Sequence, residues 1–215
     1  MNWYQYLGLA CLIICISACL WHFFRLIRLG KPKDLSKKSG NVFRAEAYSY
    51  TIAMLPNQKE SVYLHFPTFI AGILFHIGTF ISLFLFIVFF FVHPEWFREW
   101  FVLALALLLV SLFLVVSAVS GITLLFKRLF LKKIRTLSTI DDYLSNFFTT
   151  LFQVFTAVYL IFPNEVATYY YIFASILLLY LPVGKLRHAV YFFAARYQLG
   201  FFYGWRNSWP PKKQK

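Results

Sequence analysis

Apolar residues fall into five long blocks, separated by polar stretches of unequal length. The blocks cover residues 4–24, 68–92, 100–126, 143–162 and 166–188, the last passing from apolar to merely helical in pattern after Val183. Each is about 18–27 residues long, which suits a tilted helix crossing a hydrocarbon layer. Helices are required there because lipid offers no partner for backbone N–H and C=O groups. The pattern predicts an all-α integral membrane five-helix bundle forming one domain over 1–215. It has a long loop, 25–66, and a C-terminal segment, 189–215.

The second block decides most of the reading. From Thr68 to Val92 it contains no Lys, Arg, Asp or Glu, and its only ionisable side chain is His76. An ionisable group inside a span is costly and marks a functional position by default. His65 lies eleven residues earlier, about 20° past three full helical turns, so a continuous helix carries both histidines on one side. Asn57 to Ser61 lead into this helix, and Pro67 suits its start.

The flanks set the expected orientation. The first loop carries 8 of the 21 Lys and Arg residues, the third loop (Lys127 to Arg135) 5, and the chain from Lys185 onward 7, leaving Arg98 alone on the opposite side. The positive-inside rule then places the N-terminus outside and the C-terminus in the cytoplasm. Composition agrees: 60% of residues are hydrophobic and 13% charged, with net charge +13. The charge is accounted for by topology and anionic head groups, so nucleic acid is not invoked. The first block is not read as a cleaved signal peptide, because no basic segment precedes it.

Other residues have plain readings. Cys11, Cys15 and Cys19 share one helical face and behave as small hydrophobes rather than metal ligands. Trp21, His22 and Arg25 suit an interfacial belt, and His93 a solvated turn. The segment Val42 to Met54 is amphipathic and suits a flat interfacial helix. Ser138 or Thr139 caps the fourth helix, with Asp141 and Asp142 in its first turn. Small residues Ser111, Ser117, Ser120 and Gly121 suit close helix contact, with Gln153 and Thr156 as interhelical hydrogen bonders.

His76 and His188 lie on the second and fifth helices toward the basic side. Two such imidazoles can ligate one haem iron from opposite faces, and Gly72 and Gly78 would let a macrocycle approach the backbone. The competing reading satisfies His76 by a helix–helix hydrogen bond.

Phe75-His76-Ile77-Gly78, Leu181-Pro182 with Lys185-Leu186-Arg187-His188, and Arg196-Tyr197-Gln198-Leu199 resemble the membrane gamma subunit of respiratory nitrate reductase. The run Ala47-Tyr48-Ser49 through Met54-Leu55-Pro56, Lys59-Glu60-Ser61 and His65 is more similar still to the DsrM- and TmcC-like membrane cytochrome b subunits. The resemblance extends from about Arg28 to Pro210. It implies a five-helix subunit with its N-terminus outside and haem b between the second and fifth helices. By motif, His76 and His188 match the ligand pair nearer the cytoplasm. The outer ligand position on the second helix is Phe86, and no histidine lies between His93 and His188. One haem is therefore expected.

The expected function is a membrane cytochrome b subunit of a respiratory redox complex in a bacterial cytoplasmic membrane. It would carry electrons between quinone and a cytoplasmic iron–sulfur partner, as the quinone-reactive subunit of an oxidoreductase rather than an enzyme alone. Lys185, Arg187 and Arg196 are candidates for haem propionates because ammonium and guanidinium groups pair with carboxylates. His65 is a candidate quinone contact or second-haem ligand. Two other classes compete. A cofactor-free anchor would tether a soluble partner and pair His76 with Gln153 or Thr156. A transporter or channel is disfavoured, since no helix core carries a carboxylate and no repeated interrupted helices are visible.

Overall fold

The computed structural model describes residues 2–30, 32–58, 60–94, 96 and 100–211. All regular elements among them are helical. In chain order they are α1 (Trp3–Arg28), α2 (Val42–Tyr50), α3 (Glu60–Leu64), α4 (Phe66–Val88), α5 (Phe101–Phe130), α6 (Lys132–Arg135), α7 (Ile140–Ile161), α8 (Pro163–Tyr180) and α9 (His188–Trp205), with short 3-10 turns at 52–54, 56–58 and 185–187. Four of them, α1, α4, α5 and α7, are long and apolar enough to cross a membrane. A fifth candidate span needs α8 together with the stretch from Lys185 to Trp205. These helices fit a multi-pass membrane protein in contact with lipid.

The fifth apolar block is interrupted where the sequence suggested a helical extension. Regular α-helix stops at Tyr180, and Leu181 to Gly184 form turns. Pro182 has no N–H to continue the ladder. The Gly184 amide closes the end by donating to the Tyr180 carbonyl at 2.8 Å. A Cβ at Gly184 would strike the Tyr180 ring, so this turn accepts no larger residue without rearrangement.

The chain divides into two compact units, residues 1–16 with 67–186, and residues 17–66 with 187–215. In the first, large apolar residues of α5 face outward while small polar ones are buried. Leu109, Leu112, Val116 and Val119 of α5 are exposed, whereas Ser111, Ser117 and Ser120 are buried. Gln153, Thr156 and Thr149 of α7 and Ser175 of α8 are buried too. Lipid solvates leucine as well as another helix does, so small and polar residues gather at helix contacts instead. Ser111 donates across to the Ala157 carbonyl at 2.9 Å. At the start of α7, Thr139 is the N-cap residue, as expected. Its amide and hydroxyl lie 2.9 and 3.0 Å from Asp142 Oδ2. Asp142 also pairs with Arg128 at 3.0 Å and with Lys185.

In the second unit, the amphipathic piece of the long loop is a short helix, α2, packed on α9. Asn41 caps it by accepting from the Arg44 amide at 3.0 Å. Gly200 and Gly204, one turn apart on α9, allow this approach. A Cβ on Gly200 would meet the Glu46 backbone, and one on Gly204 would meet Ala45 and Val42. Ser49 donates to the Arg196 carbonyl at 2.7 Å, and the Arg196 guanidinium returns to the Ser49 carbonyl. Asp34 pairs with Arg206 at 2.6 Å, and Trp205 Nε1 donates to the Ser36 carbonyl at 2.8 Å. The loop is thus strapped to the C-terminal helix at several points.

Candidate functional site on α4

One face of α4 is committed to packing. Gln153 of α7 is fully buried. Its Nε2 donates to the Phe75 carbonyl at 2.9 Å and lies 2.8 Å from Thr79 Oγ1. Ser117 Oγ of α5 lies 2.8 Å from both Gln153 Oε1 and the Leu74 carbonyl. Three helices meet at this polar knot. Gly78 belongs to it, because a Cβ there would fall on the Ser117 side chain. Gly78 therefore serves helix packing, not the approach of a macrocycle suggested by the sequence.

His76 lies off that face. Its imidazole is exposed. Nδ1 is 2.7 Å from the Gly72 carbonyl, one turn earlier on the same helix. A carbonyl can only accept, so Nδ1 carries the proton and the lone pair of the neutral ring lies on Nε2. Nε2 has no hydrogen-bond partner among the described residues. Backbone anchoring of one ring nitrogen is the usual way a protein orients the other toward a metal. Gly72 stands beside the ring with open space: a Cβ added there would meet nothing within 4 Å. The two glycines thus have opposite surroundings.

The stripe continues toward the start of α4. Thr68, Gly72 and His76 follow at four-residue intervals, which brings them to one side of the helix. Lys127, near the end of α5, reaches Thr68 and donates to its hydroxyl. Both side chains are half-buried. Lys127 makes no ion pair with a carboxylate among the described residues.

The polar partners expected under the anchor reading are otherwise engaged. Gln153 serves Phe75, Thr79 and Ser117, and Thr156 donates to the Phe152 carbonyl at 2.7 Å. No family model, no curated protein and no solved structure matches this chain.

The remaining candidates each have surroundings of their own. His188 opens α9 in the second unit and is exposed. Lys185 pairs with Asp142, and Arg196 is spent on the Ser49 carbonyl. Arg187 is exposed at the N-cap of α9 and makes no ion pair among the described residues. His65 sits exposed at the break between α3 and α4. Tyr191 OH lies 3.3 Å from His22 Nδ1, tying α9 to the end of α1.

Farther along α4, Phe86 has no exposure. It packs edge-on to Phe90, Phe152 and Tyr170, and Tyr159 stacks on Tyr170 at 4.4 Å. Aromatic rings pack against one another throughout this part of the unit.

Sequence reasoning missed the Lys127–Thr68 pair and the Gly200/Gly204 contact. Lys127 reads as one more positive residue at a helix end. Glycines four apart on an apolar helix are a recognisable close-packing signal, and it went unused for α9.

Proposed function

We propose that this chain is the membrane cytochrome b subunit of a respiratory redox complex, carrying electrons between membrane quinone and a cytoplasmic iron–sulfur partner. The observation that supports it best is His76, exposed within an apolar span, with Nδ1 held by the Gly72 carbonyl and Nε2 without a hydrogen-bond partner among the described residues. A ligand histidine needs one nitrogen fixed and the other available. A merely structural histidine in a membrane would be expected to bond a neighbouring helix. Gly72 extends the argument, since packing gives no reason for a glycine there.

A haem held there supplies one-electron transfer. The chain's own part is to present Nε2 of His76, keep the surroundings apolar, and leave the helix bare at Gly72. By the sequence pattern, His188 would supply the second imidazole that holds the group. In this reading the soluble partner docks on the cytoplasmic side of a bacterial inner membrane, with the N-terminus outside, as the positive-inside rule leads one to expect.

The test is a reduced-minus-oxidised absorption spectrum with haem quantification on the purified chain, alongside His76→Ala and His188→Ala. One b-type haem per chain, lost in both variants, is expected. Haem absent from folded wild type refutes the cytochrome reading and leaves the membrane anchor. Haem retained in His76→Ala removes the ligand assignment.

A further inference from the structure

The Lys127–Thr68 contact has no structural partner that its charge calls for. An ammonium group in a partly buried setting is best matched by an anion, and here it meets a neutral hydroxyl. The contact sits at the entry end of α4, where the free amides of the first turn also favour negative charge. It is on the same side of the helix as Gly72 and His76.

The spacing is informative. Thr68 and His76 are eight residues apart, about 12 Å along the axis. The His76 ring reaches back toward the Gly72 carbonyl through Nδ1. Ring and hydroxyl therefore lie within about 12 Å of each other along the axis. The line therefore runs from a metal-seeking nitrogen, over a bare glycine, to a cation. A haem has the same order of parts: iron, flat apolar macrocycle, carboxylate arm.

We propose that Lys127 and Thr68 hold a haem propionate, the ammonium and the hydroxyl both donating to its carboxylate. This rests on the cytochrome reading above. It replaces Lys185 and Arg196, which are occupied by Asp142 and the Ser49 carbonyl, as the primary contacts. A lipid phosphate shares the chemistry, so the test must separate the two anions.

The measurement is a redox titration of the haem in Lys127→Met, Lys127→Arg and Thr68→Val, between pH 5 and 8. It is done in neutral-lipid nanodiscs and again with anionic lipid. Loss of the cation leaves the propionate charge to favour the ferric state. Lys127→Met is expected to shift the reduction equilibrium about tenfold toward ferric at pH 7, roughly 59 mV for one electron. Acidification should restore it as the propionate protonates. Lys127→Arg should stay near wild type, and Thr68→Val should shift in the same direction by less. The shift should be the same in both lipids.

Haem-loaded Lys127→Met with an unchanged potential and pH profile overturns the proposal. So does a shift seen only with anionic lipid, which assigns Lys127 to phosphate. If Lys127→Met does not fold, Thr68→Val decides by the same readout, and an unchanged potential there overturns it. In these cases wild type still binds haem and loses it in His76→Ala, so the cytochrome reading stands. Wild type folded without haem removes both.

Discussion

Two glycines six residues apart on α4 should respond oppositely to the same added methyl group. In Gly78→Ala the new Cβ overlaps Ser117 Oγ and lies 2.5 Å from Ser117 Cβ, with Gln153 Oε1 at 3.4 Å. The Ser117 Cβ is fixed to the α5 backbone, so rotation of a side chain cannot relieve the overlap; the helices must separate. Overpacking of this kind costs about 1–3 kcal/mol. The displaced Ser117 hydrogen bonds add about 0.6 kcal/mol each by the membrane average. Replacing a helical glycine by alanine returns roughly 0.5–1 kcal/mol. The net expectation for Gly78→Ala is a loss of about 1–4 kcal/mol. In Gly72→Ala the Cβ meets nothing within 4 Å, so only the helix-propensity gain of roughly 0.5–1 kcal/mol is left. The two variants should therefore differ by about 2–4 kcal/mol. Unfolding of the haem-free protein in mixed detergent–SDS micelles, followed by circular dichroism, measures the difference. Equal stabilities, or Gly72→Ala the weaker of the two, would refute the assignment of Gly78 to packing and Gly72 to an open face.

Two other perturbations test separate parts of the molecule. Gln153→Leu keeps the volume but removes contacts to Phe75, Thr79 and Ser117; a loss of about 1–2 kcal/mol is expected in the same assay, and no loss would mean that the polar knot is ornamental. The second concerns pH. The Ser36 hydroxyl and amide, and then the Arg206 guanidinium, hold the Asp34 carboxyl below its ordinary 3.8. A depressed native value stabilises the strap above the unfolded value and is lost as pH falls through the native one. Protection from hydrogen exchange over residues 32–41, taken relative to the intrinsic amide rate at each pH, should fall as pH drops below about 4, and Asp34→Asn should abolish the step; a step above pH 4 would reverse the sign.

How much was legible depended on how local the cause was. The long apolar blocks reported α1, α4, α5 and α7 because hydrocarbon imposes a length and forbids charge. Thr139 and Asp142 announced the start of α7, since a cap is written within four residues. Gln153 was recognised as a hydrogen bonder between helices, although its partners on α4 and α5 were not. The break after Tyr180 was half visible in Pro182 and Gly184, yet the apolar pattern ran on through it. The pairing of α2 with α9 was hidden because it joins segments more than 140 residues apart, and no periodicity in one points to the other. On α4 the sequence located His76 and both glycines but not their roles. Gly72 and Gly78 look alike in a string, and only the position of Ser117 tells them apart. Lys127 was hidden for another reason: a positive residue at a helix end serves topology by default, so its lack of a carboxylate shows only in the folded chain.

The packed rings around Phe86 bear on energy conservation. Under the proposed reading, the position that would carry a second redox group is filled by interlocked phenyl and phenol side chains. Electrons would then have no stepping stone toward the far leaflet and would enter and leave on the same side. A subunit that worked in this way would do no electrical work as it turned over. Any contribution to the membrane potential would have to come from other components of the complex.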